Sequence, residues 1–230
     1  MIKTPGLRSV LGVGALTVAG VLASPADADA QSREGRWQFY VPITFTSGIG
    51  LEGDGGSSLE VNDDVGWGFG FGYNINERFM LGFETTWLSA NYDAVVPVDE
   101  DGDQEDDGFA TIGGKLDAAS FLGVGQFNLL EGTRFTPFIQ GRLGFTYTDS
   151  NLAAAPPQGV CWWDPWWGYI CDVWQPTYSD WSFAFGGAIG LRAQLAPRFF
   201  LEGSYTASWV DYDQATPRLD GFRLGIGWTN

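Results

Sequence analysis

The sequence of 230 residues contains no histidine, only two lysines (Lys3 and Lys115) and only two cysteines. Without an imidazole base, ester or peptide hydrolysis of the usual Ser-His or Asp-His design is excluded. Twelve basic residues against 28 acidic ones leave a net charge of −16, so nucleic acid and anionic membrane surfaces are excluded as electrostatic partners. Beyond the N-terminus no apolar stretch reaches the ~18 residues of a helical span.

What the chain does have is glycine, 33 residues of it, and aromatic side chains at 16%. Both disfavour helix, and the aromatics favour strands. The N-terminus has the organisation of a secretory signal: Lys3 and Arg8, then "VLGVGALTVAGVLAS", then "ADA" at 28–30. The apolar run, about 15 residues, is shorter than the ~20 of a retained anchor. Cleavage is expected after Ala30, leaving 31–230 as one domain. In an exported chain the two cysteines, Cys161 and Cys171, read as one disulfide.

Period-two alternation, the mark of a half-buried strand, recurs eight times. "WQFYVPITF" sets Trp37, Phe39, Val41, Ile43 and Phe45 against Gln38, Tyr40, Pro42 and Thr44. "WGFGFGY" sets aromatics against Gly68, Gly70 and Gly72, and "FMLGFETTW" sets Phe79, Leu81, Phe83 and Trp87 against Met80, Gly82 and Glu84. "ASFLGVGQFNL" is the least regular, with Phe121 and Phe127 on the apolar side. The same pattern runs through "RFTPFIQGRLGFTYT", "WSFAFGGAIGLRAQL", "FFLEGSYTASW" and "GFRLGIGW". Tight turns, "NINERF", "LLEGTRF" and "LAPRFF", join strands 2–3, 4–5 and 6–7, each with an Arg before Phe (Arg78, Arg134, Arg198). Long acidic or Gly/Pro-rich loops join 1–2, 3–4 and 5–6, and loops of that length are uncommon in a compact soluble domain.

The large apolar face is continuous, whereas the opposite face holds Gly, Ser, Thr, Gln, Arg and Glu. If the small polar face lines a narrow lumen, the apolar face meets lipid. Trp37, Trp67, Tyr73, Trp87, Tyr147, Trp181, Trp209 and Trp228 at strand ends then form interfacial girdles. A sheet in lipid must close, because open edges leave backbone groups unsatisfied. The alternative is a soluble sandwich or lipocalin-like barrel with the large face inward.

These features together resemble the small OmpA-like outer-membrane β-barrels of Gram-negative bacteria: the signal, eight alternating strands, short turns, long loops, and a last strand, "GFRLGIGW", like that group's C-terminal assembly signal. The chain departs from the group by ending on Thr229-Asn230 and not on an aromatic residue. The resemblance implies an all-β fold, an eight-stranded antiparallel transmembrane β-barrel in the cell outer membrane. It further implies periplasmic turns and termini, extracellular loops and a monomer. The implied surroundings are outer-membrane lipid and lipopolysaccharide, with the barrel assembly machinery a partner through the last strand. No cofactor is implied.

Five charged residues share the polar face: Glu84, Arg142, Arg192, Glu202 and Arg223. Buried charges need partners. The expectation is a salt-bridge network that plugs the barrel, the alternative a narrow pore using the same charges. Two acids cannot neutralise three arginines, so Gln140, Gln126 or water is expected to complete the network. In "VDEDGDQEDDG" an EF-hand count from Asp99 puts Gln104 and Ala110 where Gly and Glu belong, so no such site is read. The loop reads as a solvated segment, or as a weak cation site at Asp99, Asp101 and Asp103.

The stretch "CWWDPWWGYIC", 161–171, has Asp164-Pro165 at its centre as a turn signal. Folding there is expected to bring Trp163 toward Trp166 and Trp162 toward Trp167. One reading is a self-packed hairpin. The other is an exposed platform of Trp162, Trp163, Trp166, Trp167 and Tyr169 for an extracellular sugar, lipid or protein. The function expected is therefore a non-enzymatic structural or surface-interaction role. A narrow channel for small or hydrophobic solutes is the alternative, and a lipid-modifying barrel enzyme the third reading.

Overall fold

The computed structural model describes residues 32–53, 56–98, 108–212 and 215–230. The signal segment at 1–30 and the acidic residues Asp99, Asp101 and Asp103 lie outside them. The strands are β1 (Trp37–Thr46), β2 (Ile49–Glu52), β3 (Ser58–Val61), β4 (Asp64–Asn74), β5 (Phe79–Val98), β6 (Gly108–Asn128), β7 (Phe135–Ala153), β8 (Gln158–Asp164), β9 (Gly168–Trp174), β10 (Thr177–Gln194), β11 (Phe199–Asp211) and β12 (Arg218–Thr229).

Eight of them close a ring, β1-β4-β5-β6-β7-β10-β11-β12, every neighbour antiparallel. The β1–β12 ladder, Gln38 opposite Thr229 through Thr46 opposite Gly221, seals it. The alternation read from sequence is the wall. Phe39, Val41, Ile43, Leu143, Ile189, Leu224 and Ile226 face outward and are exposed, while Gln38, Glu84, Gln126, Arg192 and Glu202 are buried inside. An apolar exterior around a polar interior is the inversion that lipid demands. Outward aromatics gather at both ends: Trp67 lies 4.9 Å from Trp87 and Tyr147 5.3 Å from Trp181 at the loop end, and Trp37 lies 5.2 Å from Tyr73 at the turn end.

Inward glycines make room for the few bulky inward side chains. The ring of Tyr40 occupies the space that a Cβ on Gly70 would need, and the ring of Phe200 does the same at Gly227.

Two sequence expectations are corrected. Residues 88–98 and 108–118 belong to no loop: they extend β5 and β6 as one continuous ladder from Phe79 opposite Phe127 to Val98 opposite Gly108. The first long connection also carries strands, β2 paired to β3 and β3 to Tyr92–Val95 of β5. The reason is local burial. Val61, Ala90 and Tyr92 form a small core with Ile49, Leu59, Ala94 and Leu116, a weaker alternation than the aromatic one below it.

Candidate functional site

The lumen is built in layers from the turn end upward. At the turn mouth the segment before β1 folds inward. Arg33 donates from Nη2 to Thr136 Oγ1 at 2.8 Å, and its backbone N–H donates to Glu77 Oε1 at 2.9 Å. Ser32 Oγ also donates to Glu77. Burial pushes the Glu77 carboxyl up, but hydrogen bonds from Ser32 and from the N–H groups of Glu34 and Arg33, with the Arg33 charge, outweigh it and leave the pKa lowered. Arg33 was not singled out from the sequence, because a residue between a signal and a first strand carries no alternation to place it.

Next comes Arg192, almost wholly buried. Its Nη1 donates to Gln38 Oε1 at 2.8 Å and lies 3.5 Å from Glu202 Oε1, while its guanidinium lies 3.5 Å from the centre of the Phe200 ring. The stacking suits a planar cation with few acceptors in reach.

Above it Glu84, with no exposure, takes two arginines: Arg223 Nη2 donates to Glu84 Oε2, and Arg142 Nη1 lies 3.7 Å from Oε1. Arg142 Nε donates to Gln140 Oε1 at 2.8 Å, Gln140 Nε2 to Gln126 Oε1 at 3.3 Å, and Gln126 Nε2 to Asn128 Oδ1 at 3.0 Å. A polar chain therefore runs from mid-lumen to the turn mouth. The residues read as inward charges stand in two separate groups, Glu84 with Arg142 and Arg223, and Arg192 with Glu202.

Above Arg142 the character changes. A cavity of about 430 Å³ occupies the loop half of the lumen, walled by Leu59, Val61, Leu116, Leu122, Val210 and Leu219 with nine Thr and Ser residues among them. Most of its apolar side chains are aliphatic, so strand alternation gave no sign of them.

Cys161 and Cys171 are bonded, at directly opposed positions of the β8–β9 hairpin. That hairpin is a two-stranded sheet of its own. Trp163 stands opposite Tyr169 and Trp162 opposite Ile170, which corrects the expected Trp–Trp approach. Asp164 Oδ1 accepts from the N–H groups of Trp166 and Trp167 at 2.8 and 2.9 Å, a turn that points both indoles outward. Trp163, Trp166, Trp167 and Tyr169 are 68, 83, 81 and 72% exposed. No self-packed aromatic core forms, because the bond and the two short strands already hold the hairpin. Among the described residues no group of acids, cysteines or histidines is arranged for a metal ion.

A closed ring with an apolar exterior and a charged interior defines a transmembrane β-barrel protein. The chain belongs to the outer membrane protein beta-barrel domain family, matched over residues 14–229. Its location is accordingly the outer membrane. Among solved structures it is similar to the outer membrane protein OprG of Pseudomonas aeruginosa, at 13% identity and a TM-score of 0.50, covering 87% of this chain and 98% of that one. It is also similar to Neisserial surface protein A, at 12% identity and a TM-score of 0.48, covering 85% and 98%. The N-terminal barrel domain of Pseudomonas aeruginosa OprF matches at 11% identity and a TM-score of 0.43, covering 87% and 100%. Among curated proteins there is no match.

Proposed function

We propose that this is a non-conducting, non-enzymatic outer-membrane barrel with a structural or surface-interaction role. The observation that carries the reading is the sharing of one fully buried carboxylate, Glu84, by Arg142 and Arg223 from two other strands. In an eight-stranded barrel the interior is just wide enough for side chains to fill. Charges paired across it close it to ions. The lack of any histidine in the sequence supports the non-enzymatic part.

Both ends of the barrel chain meet at the turn end, where Asn230 N–H donates to Trp37 O at 2.9 Å. With a signal cleaved after Ala30, that end faces the periplasm and the β8–β9 hairpin faces the cell exterior. Its exposed Trp163, Trp166, Trp167 and Tyr169 then form the contact surface for a sugar or protein partner. The test of the plug is conductance in a planar bilayer. Wild-type protein stays silent and Glu84→Ala leaks. Steady current through wild type would defeat the reading in favour of a channel.

A further inference from the structure

Four arginines (Arg33, Arg142, Arg192 and Arg223) but only two glutamates (Glu84 and Glu202) are buried among the described residues. The surplus is not spread evenly. Glu84 Oε2 is committed to Arg223, and Arg142 is left with one distant contact to Oε1, at 3.7 Å. Arg142 Nη2 is buried and has no hydrogen-bond partner among the described residues. A guanidinium N–H shut away without an acceptor is costly, and a buried cation that shares its counter-ion is costlier. Arg142 also lines the base of the apolar cavity of about 430 Å³.

We propose that this cup is a binding site for a single-chain amphiphile with a carboxylate head. The carboxylate pairs with the Arg142 guanidinium at the base and neutralises the surplus cation, and the chain lies against Leu122, Val210 and Leu219 above it. Three properties select this class. The volume falls in the range of small-molecule sites. A site of this size suits one chain of roughly a dozen carbons with its carboxylate. Most of the accessible wall is apolar, which suits a hydrocarbon, although Ser and Thr hydroxyls are set among the Leu, Ile and Val side chains. Among the described charged residues that line the cavity only Arg142, at its base, is a cation, which distinguishes an acid from the matching alcohol. Asp64 and Asp220 also line the cavity, and they disfavour a ligand with negative charge at both ends. The site is independent of whether the plug conducts, since its walls and its unpaired donor are present in either case.

The experiment uses the barrel in nanodiscs of zwitterionic lipid, titrated calorimetrically with dodecanoate and with dodecanol, with empty nanodiscs as the partition control. Dodecanoate is expected to bind saturably at one per barrel, at least ten times more tightly than dodecanol. Arg142→Met should bring dodecanoate down to the affinity of dodecanol. Val210→Trp, which fills the cup and leaves the arginine in place, should remove both, and circular dichroism identifies the folded variants. Nanodiscs containing phosphatidylglycerol should bind dodecanoate as before, because a two-chain lipid does not fit. Suppression there would overturn the single-chain assignment. Uptake no greater than by empty nanodiscs, acid and alcohol binding alike, or unchanged binding to folded Val210→Trp would each overturn the site. Conductance measured on the same preparations reports separately on the plug.

Discussion

Glu84 on β5 and Arg223 on β12 are hydrogen-bonded across the lumen although 139 residues separate them in sequence and β4 and β1 lie between their strands in the ring. Arg142 on β7 reaches the same carboxylate from the other side. One acid therefore ties together three strands that do not pair with one another.

Removing that acid leaves two buried cations facing each other. Glu84→Ala is expected to cost about 3–5 kcal/mol, the usual penalty for breaking a buried pair from one side. Urea unfolding in lipid vesicles measures it. A double change, Glu84→Ala with Arg223→Met, should recover part of that loss.

The two faces of the wall predict opposite tolerances. Ile189 is outward, 64% exposed, and paired with Ile139 and Tyr205 between the aromatic girdles. Ile189→Arg places a charge in the hydrocarbon and should cost about 2–4 kcal/mol. Ser204, inward and one strand away, should lose less than about 1.5 kcal/mol as Ser204→Ala, the worth of an ordinary hydrogen bond. The same vesicle unfolding compares them, and equal costs would contradict the lipid-facing assignment.

Acid should loosen the turn mouth. The Glu77 carboxyl has a folded pKa below its ordinary 4.5, so its contribution is complete above the unfolded value and is lost as pH falls through the folded one. Hydrogen exchange at Arg33 and Glu34, whose N–H groups bond Glu77, should accelerate relative to the β1–β12 ladder once the pH drops below about 4.5. Glu77→Gln should make that exchange fast at neutral pH and flat across the acid range.

Reducing the disulfide should be felt in the hairpin and not in the barrel. Closing a loop of this size is worth about 3 kcal/mol in the chain-entropy account, and β8 and β9 pair only with each other. Cys161→Ser with Cys171→Ser is expected to leave barrel unfolding unchanged and to open residues 158–174 to limited proteolysis.

The sequence exposed the barrel because lipid imposes a coarse pattern: a residue such as Phe71 or Ile226 must be large and apolar, and its neighbours Gly72 and Gly225 need not be. Inward charges were placed by the same alternation, since Arg142 and Glu84 fall on the face opposite Leu143 and Phe83. Which charge meets which was not legible, because the partners of Glu84 are fixed by barrel tilt and stagger across non-adjacent strands. The cup was missed for a related reason. Leu122 and Val210 are unremarkable as single residues, and only closure brings them together above Arg142. Strand ends beyond the membrane also escaped, since Leu88 to Val98 set one aromatic residue, Tyr92, among small, polar and aliphatic side chains.

The β8–β9 hairpin joins the rest of the chain through a narrow base, where Ala154 N–H donates to Pro176 O at 2.8 Å and Ala153 pairs with Thr177 at the tips of β7 and β10. Everything between is a cassette. A foreign peptide whose two ends lie a strand spacing apart should replace residues 155–175 without disturbing the wall beneath, which, with the hairpin facing the exterior as proposed, would turn the protein into a carrier for presenting chosen sequences on the surface of a bacterium.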